Sequence, residues 1–581
     1  MASPTITING RACSFSPGEV ITQVSNREGI EIPQYCYHEG LSIVASCRIC
    51  LGEIWMPDKA TGKLVPHMGG KLMPTCQTQC MDGMVVYTDS PKAVANQKAV
   101  MEYLLINHPL DCPVCDQAGE CTLQDFSYQY GRGASRFEET KVKQPKKDVG
   151  PHVYLYSDRC IMCTRCVRFT REVSGTAELL VAGRGNREEI DVFPGRPLDN
   201  PLAANVVDLC PVGALLDKDF LFAQRVWFLK STPSIDGITA SGDNILIEHN
   251  DGKVYRLKPR TNMAVNKWWI TDEVRYGWKF IHREDRLNGP RRKQFGVQVP
   301  TDFERACRDA VAGLKAAVSG GKHVAVLVSP MLTCEEAYVL GEAARAIDPQ
   351  AILAVGPIPT SGSDQTFPPG ASNGFTVYAE KCPNARGVRR VLEAVNGTRG
   401  SRVLSFGEFE AECRAGRIAA AIVTGNYPSD WASDDLASAL NGKFLVLLDT
   451  LPGKLSERAD ILLPSVTWAE KAGTFENARG MLQAFEQAIP PVGSVAAPGG
   501  GRVTLGARQE GQIALDLLAE TRPARANAEL GADETPSEHF NAADIRRRMA
   551  IRHAPLNVFA TDVTTPSVPV EQEADMAVVE L

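Results

Sequence analysis

The residues of this chain that could do chemistry are its cysteines, and they are concentrated near one end. Thirteen of the 17 cysteines lie within residues 1–210, although the chain has 581 residues. The other four are Cys307, Cys334, Cys382 and Cys413, which are far apart in sequence. Clustered cysteines in a chain without a secretory signal favour metal binding over disulfides. The distribution predicts a metal-binding front part and a globular rear part, in which each isolated cysteine is a small buried apolar residue.

The first group has the spacing Cys36-x10-Cys47-x2-Cys50-x25-Cys76. Four cysteines, two of them in a C-x2-C pair, suit a [2Fe–2S] cluster held by thiolates, although the plant-type pattern has a first gap of about four residues. Zinc is the alternative for any four-cysteine site. Cys80 follows Cys76 closely and could replace it as the fourth ligand.

The second group has the spacing His108-x3-Cys112-x2-Cys115-x5-Cys121. Three cysteines and one histidine form a familiar zinc site. Imidazole can also replace a thiolate on cluster iron, where it shifts the reduction potential upward. A lone histidine is more often a core or surface residue than a ligand, and the spacing does not decide between zinc and a [4Fe–4S] cluster.

The third group is the most specific, with Cys160-x2-Cys163-x2-Cys166 and a remote Cys210 that precedes a proline. The bacterial ferredoxin run is C-x2-C-x2-C-x3-C-P, and its fourth cysteine serves a second cluster. Thr170 stands at that fourth position here. The run therefore offers three ligands to one cluster and Cys210 supplies the fourth, which predicts a single [4Fe–4S] cluster.

The three groups together use eleven cysteines and one histidine, which makes three sites of four ligands each. Three clusters in one chain indicate a relay of single electrons, in which ligand type, hydrogen bonds and exposure set each potential. Arg165, Arg168 and Arg171 lie within and after the third group at a spacing of three. They predict either a positive surface that favours the reduced cluster or a solvated helix face.

Composition excludes several classes of protein. Apolar residues make up 44% of the chain and charged residues 23%, which is ordinary for a globular protein and excludes wholesale disorder or a collagen-like fibre. The net charge of −7 gives no support for nucleic acid as the main partner. The N-terminal residues lack the pattern of a signal or transit peptide, and apolar runs such as 444–449 are far shorter than the roughly 18 residues that span a bilayer. We expect a cytosolic protein whose membrane contact comes only through partners.

Local signals predict the elements that hold the cysteine groups. TITING followed by SPGEVITQV (residues 5–10 and 16–24) predicts two short strands around a turn at Asn9–Gly10. Ser90 is a suitable N-cap for a helix that begins at Pro91, presents Val94, Met101, Leu104 and Leu105 on one face, and ends at the proline-containing segment 107–116. The basic segment 141–151 predicts a boundary before the third group.

The rear part has the alternation of an α/β domain. Four short apolar runs, at residues 324–330, 351–356, 420–426 and 444–450, are separated by alanine-rich segments with helical periodicity. This pattern predicts a mostly parallel sheet. Residues 357–374 are rich in glycine, proline and serine and predict a loop. Residues 506–581 predict a loosely ordered C-terminal tail.

The order of the groups resembles the large iron–sulfur subunit of NADH:quinone oxidoreductase, or respiratory complex I, over residues 1 to about 490. The segments that carry the resemblance are HPLDCPVCDQAGECTLQD (108–125), DRCIMCTRCVRFTREVSG (158–175) and CPVGAL (210–215). The resemblance implies a [2Fe–2S] cluster on Cys36, Cys47, Cys50 and Cys76, with Cys76 preferred over Cys80. It also implies one [4Fe–4S] cluster on His108, Cys112, Cys115 and Cys121, and a second on Cys160, Cys163, Cys166 and Cys210.

The rear part resembles the molybdopterin-oxidoreductase fold. STPSIDGITASGDNI (231–245) stands where such proteins carry a C-x2-C-x3-C run for a further cluster, but it contains no cysteine, so we expect no fourth cluster. The segment 459–485 resembles the part of the fold that embraces the cofactor, yet the resemblance to complex I implies no molybdopterin. TGNYP (424–428) and GPIPTSGSD (356–364) are expected to be sheet-edge loops, and no nucleotide-binding glycine motif is present.

The expected architecture is a series of α+β iron–sulfur domains followed by the α/β domain. The front domains are a β-grasp, ferredoxin-like [2Fe–2S] domain, a helical [4Fe–4S] segment whose ligands are one histidine and three cysteines, and a ferredoxin-like [4Fe–4S] domain. The predicted boundaries are 1–88, 89–140 and 141–225 for these three domains, 226–285 for a cluster-free domain, 286–505 for the α/β domain and 506–581 for the tail.

The resemblance implies an electron-transfer subunit without a complete active site of its own. It would relay electrons from a flavin- and NADH-binding subunit toward quinone-side iron–sulfur subunits of a proton-translocating enzyme. The implied location is the cytoplasmic side of a bacterial inner membrane, or the matrix side in a mitochondrion. The alternatives are a diaphorase- or hydrogenase-type subunit, a formate dehydrogenase-type protein and a zinc scaffold; a hydrogen-activating cluster would need more cysteines in the rear part than the four isolated ones.

Overall fold

The chain folds into two units, and the computed structural model describes residues 3–397, 402–496, 502–504, 506–521 and 539–566. The first unit comprises the residues up to 229 together with 366–374, and the second comprises 230–365 and the residues from 375 onward. Within the described ranges, no helix has both the length and the apolar character required to cross a membrane.

Residues 3–229 of the first unit contain eleven strands and five α-helices. In chain order they are β1 (Thr5–Ile8), β2 (Arg11–Ser14), α1 (Ile21–Arg27), β3 (Leu51–Pro57), β4 (Leu64–Pro66), β5 (Met73–Pro74), β6 (Val85–Tyr87), α2 (Pro91–Leu105), α3 (Thr122–Tyr130), β7 (Lys146–Asp148), β8 (Val153–Tyr156), α4 (Arg165–Glu172), β9 (Leu179–Ala182), β10 (Glu189–Val192), α5 (Asn205–Leu209) and β11 (Leu215–Asp217). The N-terminal sheet has the strand order β2-β1-β6-β3-β4, with β5 paired to β3. Further along, β11-β8-β7 form a second sheet and β9 pairs with β10.

The hairpin at Asn9–Gly10 is confirmed, because Ile8 pairs with Arg11 and both turn residues have positive φ angles of 47° and 83°. Such a turn matches the twist of the flanking strands. The prediction of a strand in the segment that follows was wrong. That segment forms helix α1, in which Ile21 and Val24 are fully buried at helical spacing and Gln23 accepts a hydrogen bond from the Val20 N–H.

Helix α2 is confirmed as the element that leads into the second cysteine group. The Ser90 hydroxyl accepts the Ala93 N–H at 3.3 Å, and Pro91 occupies the first helical position, where its missing N–H costs nothing. Met101 is fully buried in an apolar cluster that Leu104 and Leu105 border. The helix therefore fixes the start of the segment that carries His108.

The second unit has a small antiparallel sheet and a larger, mostly parallel one. The elements from residue 230 onward are β12 (Lys230–Ile235), β13 (Asn244–Asn250), β14 (Lys253–Pro259), α6 (Asp272–Tyr276), β15 (Arg291–Gln294), β16 (Val297–Pro300), α7 (Phe303–Ala317), β17 (His323–Val328), α8 (Cys334–Ile347), β18 (Ile352–Val355), β19 (Gln365–Phe367), β20 (Phe375–Val377), α9 (Ala385–Asn396), α10 (Phe406–Arg414), β21 (Ile418–Thr424), α11 (Asp434–Ala439), β22 (Phe444–Asp449), β23 (Ile461–Pro464), β24 (Gly473–Glu476), β25 (Leu482–Phe485), β26 (Ser494–Ala496), β27 (Arg502–Thr504), α12 (Glu510–Glu520), α13 (Ala542–Arg552) and α14 (Val558–Thr561), and all of them except part of β19 belong to the second unit.

The large sheet has the strand order β16-β15-β23-β22-β21-β17-β18, and the five strands from β23 to β18 in this order are parallel. The four apolar runs predicted as parallel strands are confirmed as β17, β18, β21 and β22. Buried apolar clusters cover both faces of this sheet. Such burial explains why these strands are continuous apolar runs instead of alternating ones.

The prediction of a loosely ordered tail over 506–581 was wrong for the described part of that segment. Helices α12 and α13 bury Ile513, Leu517, Ile545 and Met549 in the core of the second unit. These residues recur at a spacing of four, which places them on one helix face. Residues 522–538 and 567–581, which also belong to the predicted tail, lie outside the described residues.

Asp236 and Asp243 are two buried residues at the ends of the paired strands β12 and β13. The Asp236 N–H donates to the Asp243 carbonyl at 2.8 Å, so the two residues are cross-strand neighbours on one face of the sheet. Asp236 accepts bonds from the Ile238 and Thr239 N–H groups. Asp243 is fully buried, and both of its side-chain oxygens have no hydrogen-bond partner among the described residues. Burial and the nearby Asp236 raise the pKa of Asp243 well above its ordinary value.

We expect Asp243→Asn to stabilise the protein at pH 8. A carboxyl whose pKa is raised on folding stabilises the fold below the unfolded pKa of about 4, and this stability is lost as the pH rises. Removing the buried charge should gain about 1–3 kcal/mol at pH 8 and almost nothing at pH 4, as measured by urea unfolding. Asp236→Asn is the matched control and should destabilise, because Asp236 accepts bonds that shape the loop. Equal stability of wild type and Asp243→Asn at pH 8 would contradict this account.

Candidate iron–sulfur sites

The first group of cysteines is gathered at one place by the loop between α1 and β3 and by the segment that follows β5. The thiols of Cys36 and Cys47 are in hydrogen-bonding contact, and so are those of Cys50 and Cys76. This contact lowers the pKa of Cys36 and of Cys50 and raises the pKa of their partners. The charges of Cys36 and Cys47 also raise the pKa of Cys76. The four thiols therefore form one group.

Backbone N–H groups surround these sulfurs. The Ser46 and Cys47 N–H groups donate to the Cys36 sulfur, and the Cys76 N–H donates to the Cys50 sulfur. The loop achieves this with left-handed residues at Ala45 and Arg48, whose φ angles are 49° and 60°. Hydrogen bonds to sulfur stabilise thiolates and are one of the means by which proteins tune an iron–sulfur cluster. The donor set fits a thiolate-bound cluster.

Cys80 lies apart from this group. Burial raises its pKa to about 12, and the ionisable groups that act on it are Glu19, Arg27 and Cys13. Its N–H donates to the Glu19 carbonyl at 2.8 Å, which ties it to the start of α1. The structure thus brings Cys76, and not Cys80, to the other three thiols.

The second group lies between α2 and α3. Cys121 is the N-cap of α3, and burial raises the pKa of its thiol to about 11, although the backbone of Leu123 and Gln124 at the helix N-terminus acts to lower it. Its charge couples to Cys115 and Cys112, so the three cysteines are neighbours. Cys112 is exposed, whereas Cys115 and Cys121 are buried.

His108 shares its surroundings with this group, because Arg159 acts on both His108 and Cys115. Burial lowers the pKa of His108 to about 4, and Arg159 and Lys141 contribute to the lowering. The imidazole is therefore neutral at pH 7, which is the form that binds a metal. Arg159 is itself held by Asp111 at 2.8 Å.

Gly213 is a site residue that the cysteine spacing did not identify. A Cβ atom at this position would lie 2.2 Å from the Cys115 sulfur, so a residue with a side chain could not be accommodated without movement of the sulfur. The Gly213 carbonyl also accepts a bond from Arg159 at 3.5 Å. In the sequence, the only indication of this role is that a glycine lies three residues after Cys210. The reason for the glycine becomes clear only from the structure, in which the Cys115 sulfur packs against it.

The third group lines one cavity. Cys160, Cys163 and Cys166 come from the loop before α4 and its first turn, and Cys210 follows α5. The rest of the wall is mostly apolar and includes Leu155, Ile161, Ile190, Val212, Ala214 and Leu215. Left-handed backbone at Met162 and Thr164, with φ angles of 53° and 58°, turns the loop around this cavity.

Burial raises the pKa of Cys160 to about 12 and that of Cys163 to about 11, and it also raises the pKa of Cys166 and Cys210. Thiols with raised pKa values stay protonated at pH 7 in the absence of metal. They lose their protons when they bind a metal cation, because the cation stabilises the thiolate form. The Met162 N–H donates to the Cys160 sulfur at 3.3 Å, and three N–H groups of the segment 212–215 donate to the Cys210 sulfur. This donor set and its apolar walls fit a metal cluster.

The described residues contain no group of three or more His, Cys, Asp or Glu side chains placed to hold a single metal ion. The four cysteines of the second unit are buried in apolar clusters, as predicted, although the thiols of Cys334 and Cys382 also donate to Asn384 and Glu380. Their exposed fractions are 2% or less at Cys307, Cys334, Cys382 and Cys413.

The fold and the grouped cysteines define a protein built from ferredoxin-type cluster-binding domains joined to an α/β domain. Family models match these domains in order: a 2Fe-2S iron-sulfur cluster binding domain (residues 3–91), the NADH-ubiquinone oxidoreductase-G iron-sulfur binding region (97–136), the ferredoxin-like domain of NADH-quinone oxidoreductase subunit 3 (150–216), the NDSU1/NuoG-like 4Fe-4S domain (229–279) and molybdopterin oxidoreductase (409–495). Three of these five models are those of NADH-quinone or NADH-ubiquinone oxidoreductase subunits, and over the matched residues the chain is similar to the large iron–sulfur subunit of that enzyme.

Three relatives illustrate the similarity. The NADH-ubiquinone oxidoreductase 75 kDa subunit of Reclinomonas americana is 39% identical over 55% of this chain and 45% of its own length. The mitochondrial 78 kDa subunit of Neurospora crassa is 41% identical over 52% and 40% of the two chains. The mitochondrial NADH dehydrogenase (ubiquinone) iron-sulfur protein 1 of Solanum tuberosum is 41% identical over 49% and 37%. The chain thus spans less than half of the length of these relatives.

A solved structure of an NAD+-reducing [NiFe]-hydrogenase is similar over 39% of this chain and 92% of that chain, at 28% identity and a TM-score of 0.34.

Proposed function

We propose that this chain relays electrons in an NADH:quinone oxidoreductase, between the subunit that holds the flavin and the subunits that lead to the quinone. The observation that supports this most directly is a shared apolar cluster in the first unit. Cysteines from all three groups belong to it or border it, namely Cys47, Cys121, Cys160 and Cys210. Clusters bound at sites that share one apolar cluster would be close enough to exchange electrons. Three metal sites with purely structural roles would have no need to lie together in this way.

The proposed ligands are those that the resemblance implied. One [2Fe–2S] cluster is held by Cys36, Cys47, Cys50 and Cys76, one [4Fe–4S] cluster by His108, Cys112, Cys115 and Cys121, and a second [4Fe–4S] cluster by Cys160, Cys163, Cys166 and Cys210. Each cluster, when bound, supplies one-electron redox chemistry. The chain itself holds the thiolates and donates N–H groups to sulfur.

The second unit serves as scaffold in this proposal. Its segment 229–279 matches a 4Fe-4S domain of the family but contains no cysteine, so we propose no fourth cluster there. We propose likewise that the molybdopterin-type domain carries no molybdopterin. Boundaries near residues 88, 140, 225, 285 and 505 divide the chain into the domains that the sequence predicted.

The proposed partners are the flavin subunit and the quinone-side iron–sulfur subunits, with the chain at the cytoplasmic or matrix side of the membrane. The second group provides a surface for such contact. Cys112 is exposed, and the neighbouring Leu110 and Val114 have exposed fractions of 87% and 58%. Apolar side chains beside an exposed ligand suit electron transfer across a subunit interface.

The experiment that tests the proposed function follows NADH-driven reduction in the assembled complex. The complex is isolated anaerobically through a tag on this chain and mixed with NADH, and the clusters are observed by electron paramagnetic resonance. Reduction of clusters assigned to this chain, followed by quinone reduction, is the expected result. Clusters that NADH never reduces, or a preparation that reduces dyes with hydrogen and not with NADH, would overturn the proposal.

We expect His108→Cys to keep its cluster and to lower its reduction potential, because thiolate donates more charge to iron than imidazole does. The change should appear as a lower midpoint in a redox titration of that four-iron signal. His67→Cys, in the same unit but outside the cysteine groups, is the control and should change no midpoint. An unchanged midpoint and spectrum in His108→Cys would show that His108 is not a ligand.

A further inference from the structure

Arg168 is a buried cation that contacts two of the cysteine groups at once. It lies in α4, two residues after Cys166, with an exposed fraction of 8%. Its guanidinium donates to the carbonyl of Cys36 in the first group and, at 3.4 Å, to the carbonyl of Cys163 in the third. It also donates to the Ser42 carbonyl. One side chain therefore joins ligand-bearing residues of two groups that are more than 120 residues apart in sequence.

The same helix contacts the first group's loop at further points. Arg165 donates to the Tyr37 carbonyl at 2.5 Å and to the Leu209 carbonyl at 3.3 Å. Glu172 accepts the Ser42 N–H at 2.8 Å. The expectation of a solvated arginine face thus applies only to Arg171, which is exposed. Helix α4 is the element that fixes the loop of the first group against the third group.

Among the described residues, no carboxylate forms an ion pair with Arg168. Its hydrogen-bond partners are three backbone carbonyls, and Arg165 beside it likewise donates to carbonyls. A charge removed from water is costly unless an opposite charge compensates it. The nearby groups that carry or can take up negative charge are Glu172, which binds the same Ser42 that Arg168 contacts, and the cysteine sulfurs, which become thiolates when they bind iron. Clusters held by these thiolates on either side would therefore add to the negative charge that compensates Arg168.

We propose that Arg168 is a positioning residue shared by the [2Fe–2S] site and the Cys160 [4Fe–4S] site, and that its charge raises the reduction potential of both clusters. A fixed positive charge favours the reduced cluster because reduction adds one negative charge. The hydrogen bonds to Cys36 and Cys163 hold the two sites at a constant separation. This inference depends on the proposed function, since it requires both clusters to be present.

The test is a redox titration of the anaerobically purified full chain, followed by electron paramagnetic resonance. Arg168→Met removes the charge and keeps an unbranched apolar stem. We expect the midpoints of the two-iron cluster and of the Cys160 four-iron cluster to fall by at least about 59 mV, which is a tenfold change for a one-electron couple. The His108 cluster should keep its midpoint and serves as the internal reference. Arg171→Met, on the exposed face of the same helix, is the matched control and should shift neither midpoint.

Arg168→Lys keeps the charge but loses the forked donor geometry, and it covers the case in which the methionine variant does not assemble. We expect its two midpoints to stay within tenfold of wild type, with the magnetic interaction between the two clusters altered. Wild-type midpoints in Arg168→Met with the iron content unchanged would overturn the inference, as would a shift confined to one cluster or a lysine variant shifted by tenfold or more. Absence of the clusters from the wild-type chain would instead refute the proposed function.

Discussion

Cys166→Ala is expected to remove one four-iron cluster and to leave the other two clusters in place. Cys166 is buried, and this burial raises the pKa of its thiol well above the ordinary value. It lines the cavity with Cys160, Cys163 and Cys210, so its loss leaves three ligands for a cluster that needs four. The iron content should fall from about ten atoms per chain to about six, because one two-iron and one four-iron cluster remain.

The measurement is iron and sulfide analysis together with electron paramagnetic resonance of the reduced chain. Cys413→Ala is the matched control, since Cys413 is also buried but lies alone in the second unit. It should keep about ten irons. Loss of the two-iron signal in Cys166→Ala, with both four-iron signals intact, would show that the ligand groups are wrongly divided.

Lys471→Met is expected to destabilise the second unit strongly. The Lys471 ammonium is fully buried and lies 2.8 Å from a Glu336 carboxylate oxygen and 2.9 Å from one of Glu510. Glu510 also accepts a bond from Asn426 at 2.7 Å. Methionine would leave two carboxylates buried without a counter-charge, which costs about 3–5 kcal/mol.

The effect of Lys471→Met should grow with pH. Burial raises the pKa of Glu510 to about 8, although Lys471 acts to lower it. A carboxyl whose pKa is raised on folding loses stabilising effect as the pH rises from the unfolded value of about 4 through the folded one. Without the lysine the folded pKa rises further, so the loss of stability at pH 9 should exceed that at pH 5.

Tryptophan fluorescence during urea unfolding would measure this change. Lys454→Met is the control, because Lys454 pairs with Asp434 at the surface, where such pairs contribute little. A Lys471→Met protein as stable as the Lys454→Met protein at pH 7 would contradict the account of this buried cluster.

Local signals were sufficient for several elements. The Asn9–Gly10 turn, the Ser90 N-cap and the apolar runs of β17, β18, β21 and β22 act over a few residues, so the sequence predicts them directly. The spacing of Cys160, Cys163 and Cys166 is equally local, because it places three sulfurs on one turn of chain. The sequence also predicted the order of the domains, which the family matches confirm.

The features that the sequence did not predict depend on residues far apart in the chain. The sequence predicted a strand where α1 forms, because the common face of Ile21 and Val24 is defined only by their packing against distant strand residues such as Val86. Gly213 becomes significant only through Cys115, and Lys471 only through Glu510, which belongs to a segment expected to be loosely ordered. The burial of Arg168 likewise depends on distant partners, because one of the carbonyls that it contacts belongs to Cys36.

Electron paramagnetic resonance of the chemically reduced, anaerobically purified chain tests the central claim most directly, because it counts the clusters and separates two-iron from four-iron types. The account predicts three centres, one of the two-iron type and two of the four-iron type, with about ten irons per chain. A colourless preparation that contains zinc and gives no iron–sulfur signal would contradict it.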